Sequence, residues 1–142
     1  MPRTPPTRAD FRHFVTQTSR WQDNDVYGHI NNAVYYEFAD ALVNGWLADT
    51  GTLPVPDGPV ICLVAETGCS FFSSLSYPEP VDTGLGLARI GTSSIEYRIG
   101  IFRLDRHEAA ASLRFVHVCV DRDSQRPVPI PEALRQRLAA LA

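Results

Sequence analysis

A chain of 142 residues is sized for one domain with one sizeable core, and 44% hydrophobic with 20% charged residues excludes a disordered or fibrous protein. The formal net charge is −3 and all thirteen basic residues are Arg. The basic face that a nucleic-acid binder needs is therefore missing, while an Arg pocket for one phosphorylated small molecule is left open.

Residues 1–12 form a Pro- and Arg-rich arm, carrying Pro2, Pro5, Pro6, Arg3 and Arg8, that is expected to be flexible. It is followed by no apolar stretch of the kind a signal peptide has, and no run approaches the ~18 apolar residues that span a bilayer. Residues 13–142 are expected to form the single folded domain. A β-prone stretch over Phe11–Trp21 runs into the polar cluster Asp23, Asn24, Asp25. Val34, Tyr35, Phe38, Ala41, Leu42 and Trp46 then recur at spacings of three and four, with Asn31 or Asn32 as cap and Gly51 as stop. A long helix is expected here, and Gly45 inside it points to a close approach of another backbone.

Downstream the period becomes that of strands, over Val60–Phe72, Val81–Ile90, Ile95–Leu104 and Ala109–Val120. These predict an antiparallel sheet of four or more strands, with the nearly continuous apolar run Phe115–Val120 as a central one. Pro131 is placed to begin a short helix over Glu132–Leu141. One long amphipathic helix must be covered by one sheet, so an α+β domain with the sheet curved around the helix is expected. Glu66 interrupts an apolar run, where an ionised carboxylate needs a partner; an Arg pair or a second acid in a binding pocket are the two readings. Cys62, Cys69 and Cys119 show no CxxC or Cys/His spacing. No zinc site is expected, and a reducing cytoplasm suits them, with Cys69 and Cys119 as small core residues.

The densest polar segment, Arg20 to Asn32, lies between a strand and the start of the long helix. A helix N-terminus offers unpaired N–H groups and partial positive charge, so a carbonyl oxygen placed there is stabilised as it becomes an oxyanion. A carboxylate just ahead, Asp25, can attack such a carbonyl or activate water, with the N–H of Asn32 or its neighbour as oxyanion donor. The plainer alternative is that Asp23, Asn24 and Asp25 shape a turn and Asn31 and Asn32 cap the helix. A calcium loop on Asp23, Asp25 and Gly28 fails where Tyr27 and Val34 replace oxygen ligands, and His29 has no paired His, so no metal is expected.

The run Asp23-Asn24-Asp25-Val26-Tyr27-Gly28-His29-Ile30-Asn31-Asn32-Ala33-Val34-Tyr35-Tyr36 resembles the DxDxxGHxNNxxYxxx signature of hotdog-fold acyl-CoA thioesterases of the 4-hydroxybenzoyl-CoA thioesterase type. The likeness continues through Glu66-Thr67-Gly68-Cys69, Arg89 to Ser94, Phe115 to Val118 and Arg126 to Pro131. It implies a hotdog fold and hydrolysis of a small or medium acyl-CoA, with coenzyme A as part of the substrate and no separate cofactor. It further implies Asp25 as catalytic carboxylate, Gly28 as the glycine of the turn, and Asn32 as the backbone donor to the thioester carbonyl. Gly91 and Ser94 correspond to a segment near the coenzyme A arm, where Arg89, Arg98 and Arg103 on the flanking strands are candidates for the phosphates. The family pattern Glu-x-Ala-Arg in the helix is replaced by Asp40-Ala41-Leu42, so no role passes to that arginine. A homodimer or homotetramer is implied, with the site between protomers. Two rivals remain: a hotdog enoyl-CoA hydratase or dehydratase using Asp25 and His29 as acid and base, and a non-catalytic acyl-CoA-binding module.

Overall fold

The computed structural model describes residues 4–142. Its elements run β1 (His13–Gln17), a 3-10 turn at Trp21–Asp23, α1 (Asn32–Thr50), β2 (Val60–Phe71), β3 (Val81–Ile90), β4 (Ser94–Arg103), β5 (Ala111–Asp121) and α2 (Glu132–Ala139). The strands make one five-stranded antiparallel sheet in the order β1-β3-β4-β5-β2. The long helix and the single sheet are the α+β elements expected from the sequence. No described helix is long and apolar enough to cross a membrane.

The helix forms where the apolar stripe and its caps agree. Asn31 caps the N-terminus by accepting the Ala33 N–H, and Gly51 ends it at φ 65°, a left-handed conformation that glycine adopts without a Cβ penalty. Val34, Tyr35, Phe38, Ala39, Leu42, Val43, Trp46 and Leu47 make up its buried face. They pack on inward residues of the sheet, among them Leu85, Ile95, Tyr97, Ile99, Leu113, Phe115 and Cys119. At about 1.5–3 kcal/mol for each large side chain fully buried, this one interface supplies most of the drive to fold.

A second, smaller cluster of Phe11, Phe102 and Ala109 covers the other face. A Cβ on Gly100 would stand 2.6 Å from the Phe11 ring, so glycine is what lets the arm lie on the sheet. Arg8 fastens the arm: its guanidinium bonds Asp82 at 2.8 Å and the carbonyls of Arg103 and Arg106, and lies over the Phe102 ring. The described part of the arm expected to be flexible thus makes specific contacts; Arg3 lies outside the described residues.

Four local expectations are corrected. Pro131 is the cap ahead of α2 and not its first residue. The first strand is only the five residues of β1, because the chain leaves the sheet for the 3-10 turn. A Cβ at Gly45 would meet nothing within 4 Å, so this glycine serves no close backbone approach. Finally, β2 is an edge strand whose residues Leu63, Val64, Ala65, Glu66 and Thr67 are all exposed, so its apolar run does not signal burial.

Candidate active site

Residues 20–31 connect β1 to α1 through a loop held by its own side chains. The Asp23 carboxylate, buried, accepts from the Arg20 N–H and from the Arg20 guanidinium at 2.8 Å. The Asp23 carbonyl accepts the Asn31 N–H at 2.8 Å, tying the loop's start to the helix cap. The Asn24 carboxamide accepts the Tyr77 N–H, and Ile30 donates to the Leu75 carbonyl, so the loop is also fixed to the segment after β2.

Within this frame Asp25 begins a tight turn. Its carbonyl accepts the Gly28 N–H at 3.1 Å, and its N–H donates to the His29 carbonyl at 2.8 Å. Gly28 sits at φ 78°, where a side chain would strain the backbone. The turn folds its amides back onto the carboxylate: Oδ1 accepts from Tyr27 N–H at 2.9 Å and from His29 N–H at 3.4 Å. Oδ2 takes no hydrogen bond among the described residues and is left for chemistry.

The helix start completes the arrangement. Asn31 uses its side chain on the Ala33 N–H and its carbonyl on the Val34 N–H, which leaves the Asn32 N–H without an acceptor among the described residues. Asp25, His29 and Asn32 line one open cavity of about 370 Å³, with Tyr35, Phe71, Phe72, Ser73 and Ser74 across from them. The Tyr35 and Phe71 rings meet edge to face at 5.0 Å, giving the cavity an apolar wall. Burial pushes the Tyr35 hydroxyl up to about 12, so it stays protonated at neutral pH. A carboxylate oxygen, an unpaired helix-start N–H and an apolar wall around one space can bind an acyl group and attack its carbonyl.

Of the residues singled out in the sequence, Asp25, Gly28, His29 and Asn32 are brought together here. The others are not. Glu66 is exposed on β2, beside a register irregularity, and reaches Arg114 at 3.5 Å; the burial inferred for it is wrong because its strand is an edge. Gly91 and Ser94 close the β3–β4 turn, with the Gly91 N–H on the Ser94 carbonyl at 2.8 Å and the Arg135 guanidinium on the Gly91 carbonyl. The three arginines do not form one group. Arg89 lies near the turn opposite Glu96, Arg98 stands beside the Phe11 ring, and Arg103 lies at the far end of the hairpin between Glu79 and Asp105. Sequence reasoning missed Tyr35 as a wall residue and missed the whole Phe71–Ser74 wall. Its only signal was the end of an apolar run, and its contact with the Asp25 loop is made through tertiary pairing.

A family model described as the thioesterase-like superfamily matches residues 19–138. Among solved structures, the PA5185 protein from Pseudomonas aeruginosa strain PAO1 is 45% identical over 96% of each chain, with a TM-score of 0.93. A 1,4-dihydroxy-2-naphthoyl-CoA thioesterase from Synechocystis is 13% identical, covering 89% of this chain and 94% of its own, with a TM-score of 0.79. The dynemicin thioesterase is 18% identical, covering 91% and 96%, with a TM-score of 0.83. The hotdog fold expected from the signature is thereby shown. No curated protein sequence gives a significant match.

Proposed function

Because the chain belongs to the thioesterase-like superfamily, we propose that it hydrolyses the thioester of a small or medium acyl-CoA, with Asp25 as the reacting carboxylate. The observation that carries this reading is that Asp25 Oδ2 and the Asn32 N–H, both without a partner among the described residues, face one cavity. The thioester carbonyl lies at the helix start, where the Asn32 N–H and the helix dipole stabilise the negative charge that grows on its oxygen. Asp25 Oδ2 then adds to the carbonyl carbon, or takes a proton from a water that adds. The coenzyme A sulfur leaves as thiolate, and water supplies the oxygen of the product acid. A thioester carbonyl has little resonance stabilisation and a good leaving group, so one carboxylate and one donor suffice without a further cofactor.

The edge position of β2 supports a second copy in the working enzyme. Its exposed Leu63 and Val64 and its unpaired strand edge suit antiparallel pairing with another β2, and the wall residues Phe71–Ser74 continue directly from that strand.

Incubation with a panel of acyl-CoA esters tests the reading. Release of free coenzyme A thiol, measured by a disulfide reagent, is expected for at least one acyl group. A change in enoyl absorbance without thiol would make the protein a hydratase, and saturable binding with neither would make it a binding module.

A further inference from the structure

We propose that Cys62 and Cys119 form a reversible redox pair that closes to a cross-strand disulfide when exposed to a hydroperoxide. The two residues are direct Cα partners in the β2–β5 register, 57 positions apart in sequence, and their sulfurs stand 3.7 Å apart. The backbone fixes which kind of pair they are. The Cys119 N–H donates to the Ser93 carbonyl and the Cys119 carbonyl accepts the Val128 N–H, so neither group bonds β2. Cys62 and Cys119 are therefore a non-hydrogen-bonded antiparallel pair, the kind whose Cα atoms lie closest, about 4.5 Å apart, and inside the span a disulfide bridges. The sulfurs have to close from 3.7 Å to the disulfide length of about 2.05 Å, and the register already holds their Cα atoms opposite each other.

Access is one-sided, which orders the chemistry. Cys119 is fully buried, whereas Cys62 is partly exposed and borders a cavity of about 170 Å³ between Leu47, Leu53, Val55 and Val60. The contact with Cys119 and burial hold the Cys62 thiol above its ordinary value, so it reacts through the small fraction present as thiolate, and once it is oxidised Cys119, 3.7 Å away, is the sulfur placed to attack it. Cys62 reacts first: its S–H and the peroxide O–O bond break, giving Cys62 sulfenic acid and one water. Cys119 Sγ then attacks the Cys62 sulfur; its proton leaves with the displaced hydroxide as a second water, and the S–S bond forms. Two electrons pass from sulfur to peroxide. Cys69 takes no part, because it stands at the other end of β2 opposite Leu113.

The product joins the edge strand β2 to its interior neighbour β5. The test treats the native full-length protein with hydrogen peroxide, then unfolds it and counts free thiols. A fall from three thiols to one is expected, with a Cys62–Cys119 cross-linked peptide by mass spectrometry and full recovery under dithiothreitol. The melting temperature of the oxidised form should rise by roughly several degrees and return on reduction. In Cys69→Ser the count should fall from two to zero, whereas Cys62→Ser should form no intramolecular bridge. Three thiols surviving in the parent would overturn the proposal. So would Cys62 sulfinic acid without a cross-link, or disulfides running only through Cys69 between molecules. Since Cys69→Ser leaves the Cys62–Cys119 pair intact, its result stands even if the Cys62 variant fails to fold.

Discussion

Arg20 and Asp23 close on each other at the mouth of the Asp25 loop: the buried carboxylate takes the Arg20 N–H and two guanidinium nitrogens, all within 3.0 Å. The Asp23 carbonyl meanwhile holds the Asn31 N–H. The first aspartate of the signature thus ties both ends of the loop that carries the second. Asp23→Ala leaves the Arg20 N–H unpaired and frees the turn, so a loss of roughly 1–3 kcal/mol in urea unfolding is expected. Thioesterase activity should fall with it. A fully stable Asp23→Ala protein would remove the Arg20 pair from the account.

Asp25→Asn separates shape from chemistry. The carboxamide oxygen still accepts from Tyr27 and His29 N–H groups, so the melting temperature should stay near that of the parent. Removing the charge removes the proposed nucleophile or base, and kcat should fall by roughly 10² or more with little change in KM. Steady-state kinetics beside a thermal melt checks both halves.

Two glycines should respond to alanine in opposite ways. Gly28 has φ 78° with open space around it, so the cost of Gly28→Ala is the backbone strain alone, about 1–2 kcal/mol, and it falls on the turn that presents Asp25. Gly45 is exposed inside α1 with nothing within 4 Å of an added Cβ, so Gly45→Ala should stabilise by roughly 0.5–1 kcal/mol. Denaturant midpoints distinguish the two, and activity should drop only in the Gly28 variant.

The same contrast shows what the sequence could reveal. The long helix was legible because its stripe, its Asn31 cap and its Gly51 stop all agree, and the Asp25 segment was legible because a polar cluster lies immediately before that cap. Val81–Ile90 was read with both ends correct, since its pattern and its flanking turns coincide. The role of β2 is hidden: an apolar run reads alike in a central strand and in an edge strand, so the pattern implies burial for Glu66, which is exposed in the single chain beside Arg114. Strand order also decides whether Arg89, Arg98 and Arg103 meet, and no local pattern encodes that they are strung along a hairpin. The wall Phe71–Ser74 escaped notice for a related reason, since only the fixing of Leu75 and Tyr77 to the loop brings it opposite Asp25.

An edge strand with Leu63 38% and Val64 50% exposed gives an assembly prediction. Sedimentation at micromolar concentration should give two or four times 15.8 kDa. Val64→Arg places a bulky charge on that edge and should shift the species toward monomer, with activity lost in proportion. A 15.8 kDa monomer with full activity would place the whole site in one chain.

His117 sets the last prediction, an acid limit on stability. Its imidazole is 1% exposed on β5, packed edge to face against Tyr97 and Phe115, with Nδ1 unpaired among the described residues. Burial disfavours the charged ring and pushes its pKa down to about 4, whereas an unfolded chain takes the proton near 6.5. Between those values the unfolded state binds a proton that the folded state refuses, so stability falls as pH falls from about 6.5 toward 4. The full effect is roughly 3 kcal/mol, by the usual conversion of about 1.4 kcal/mol for each pH unit. Asp121 acts in the same direction but lower: hydrogen bonds from Ser124 hold its pKa below the ordinary carboxylate value, so its contribution is present above that value and is lost on further acidification. His117→Leu removes the titrating ring. Its unfolding free energy should therefore be flatter than the parent's between pH 6.5 and 4.5 in urea titrations. Equal slopes for the two proteins across that interval would show that His117 is not the group responsible.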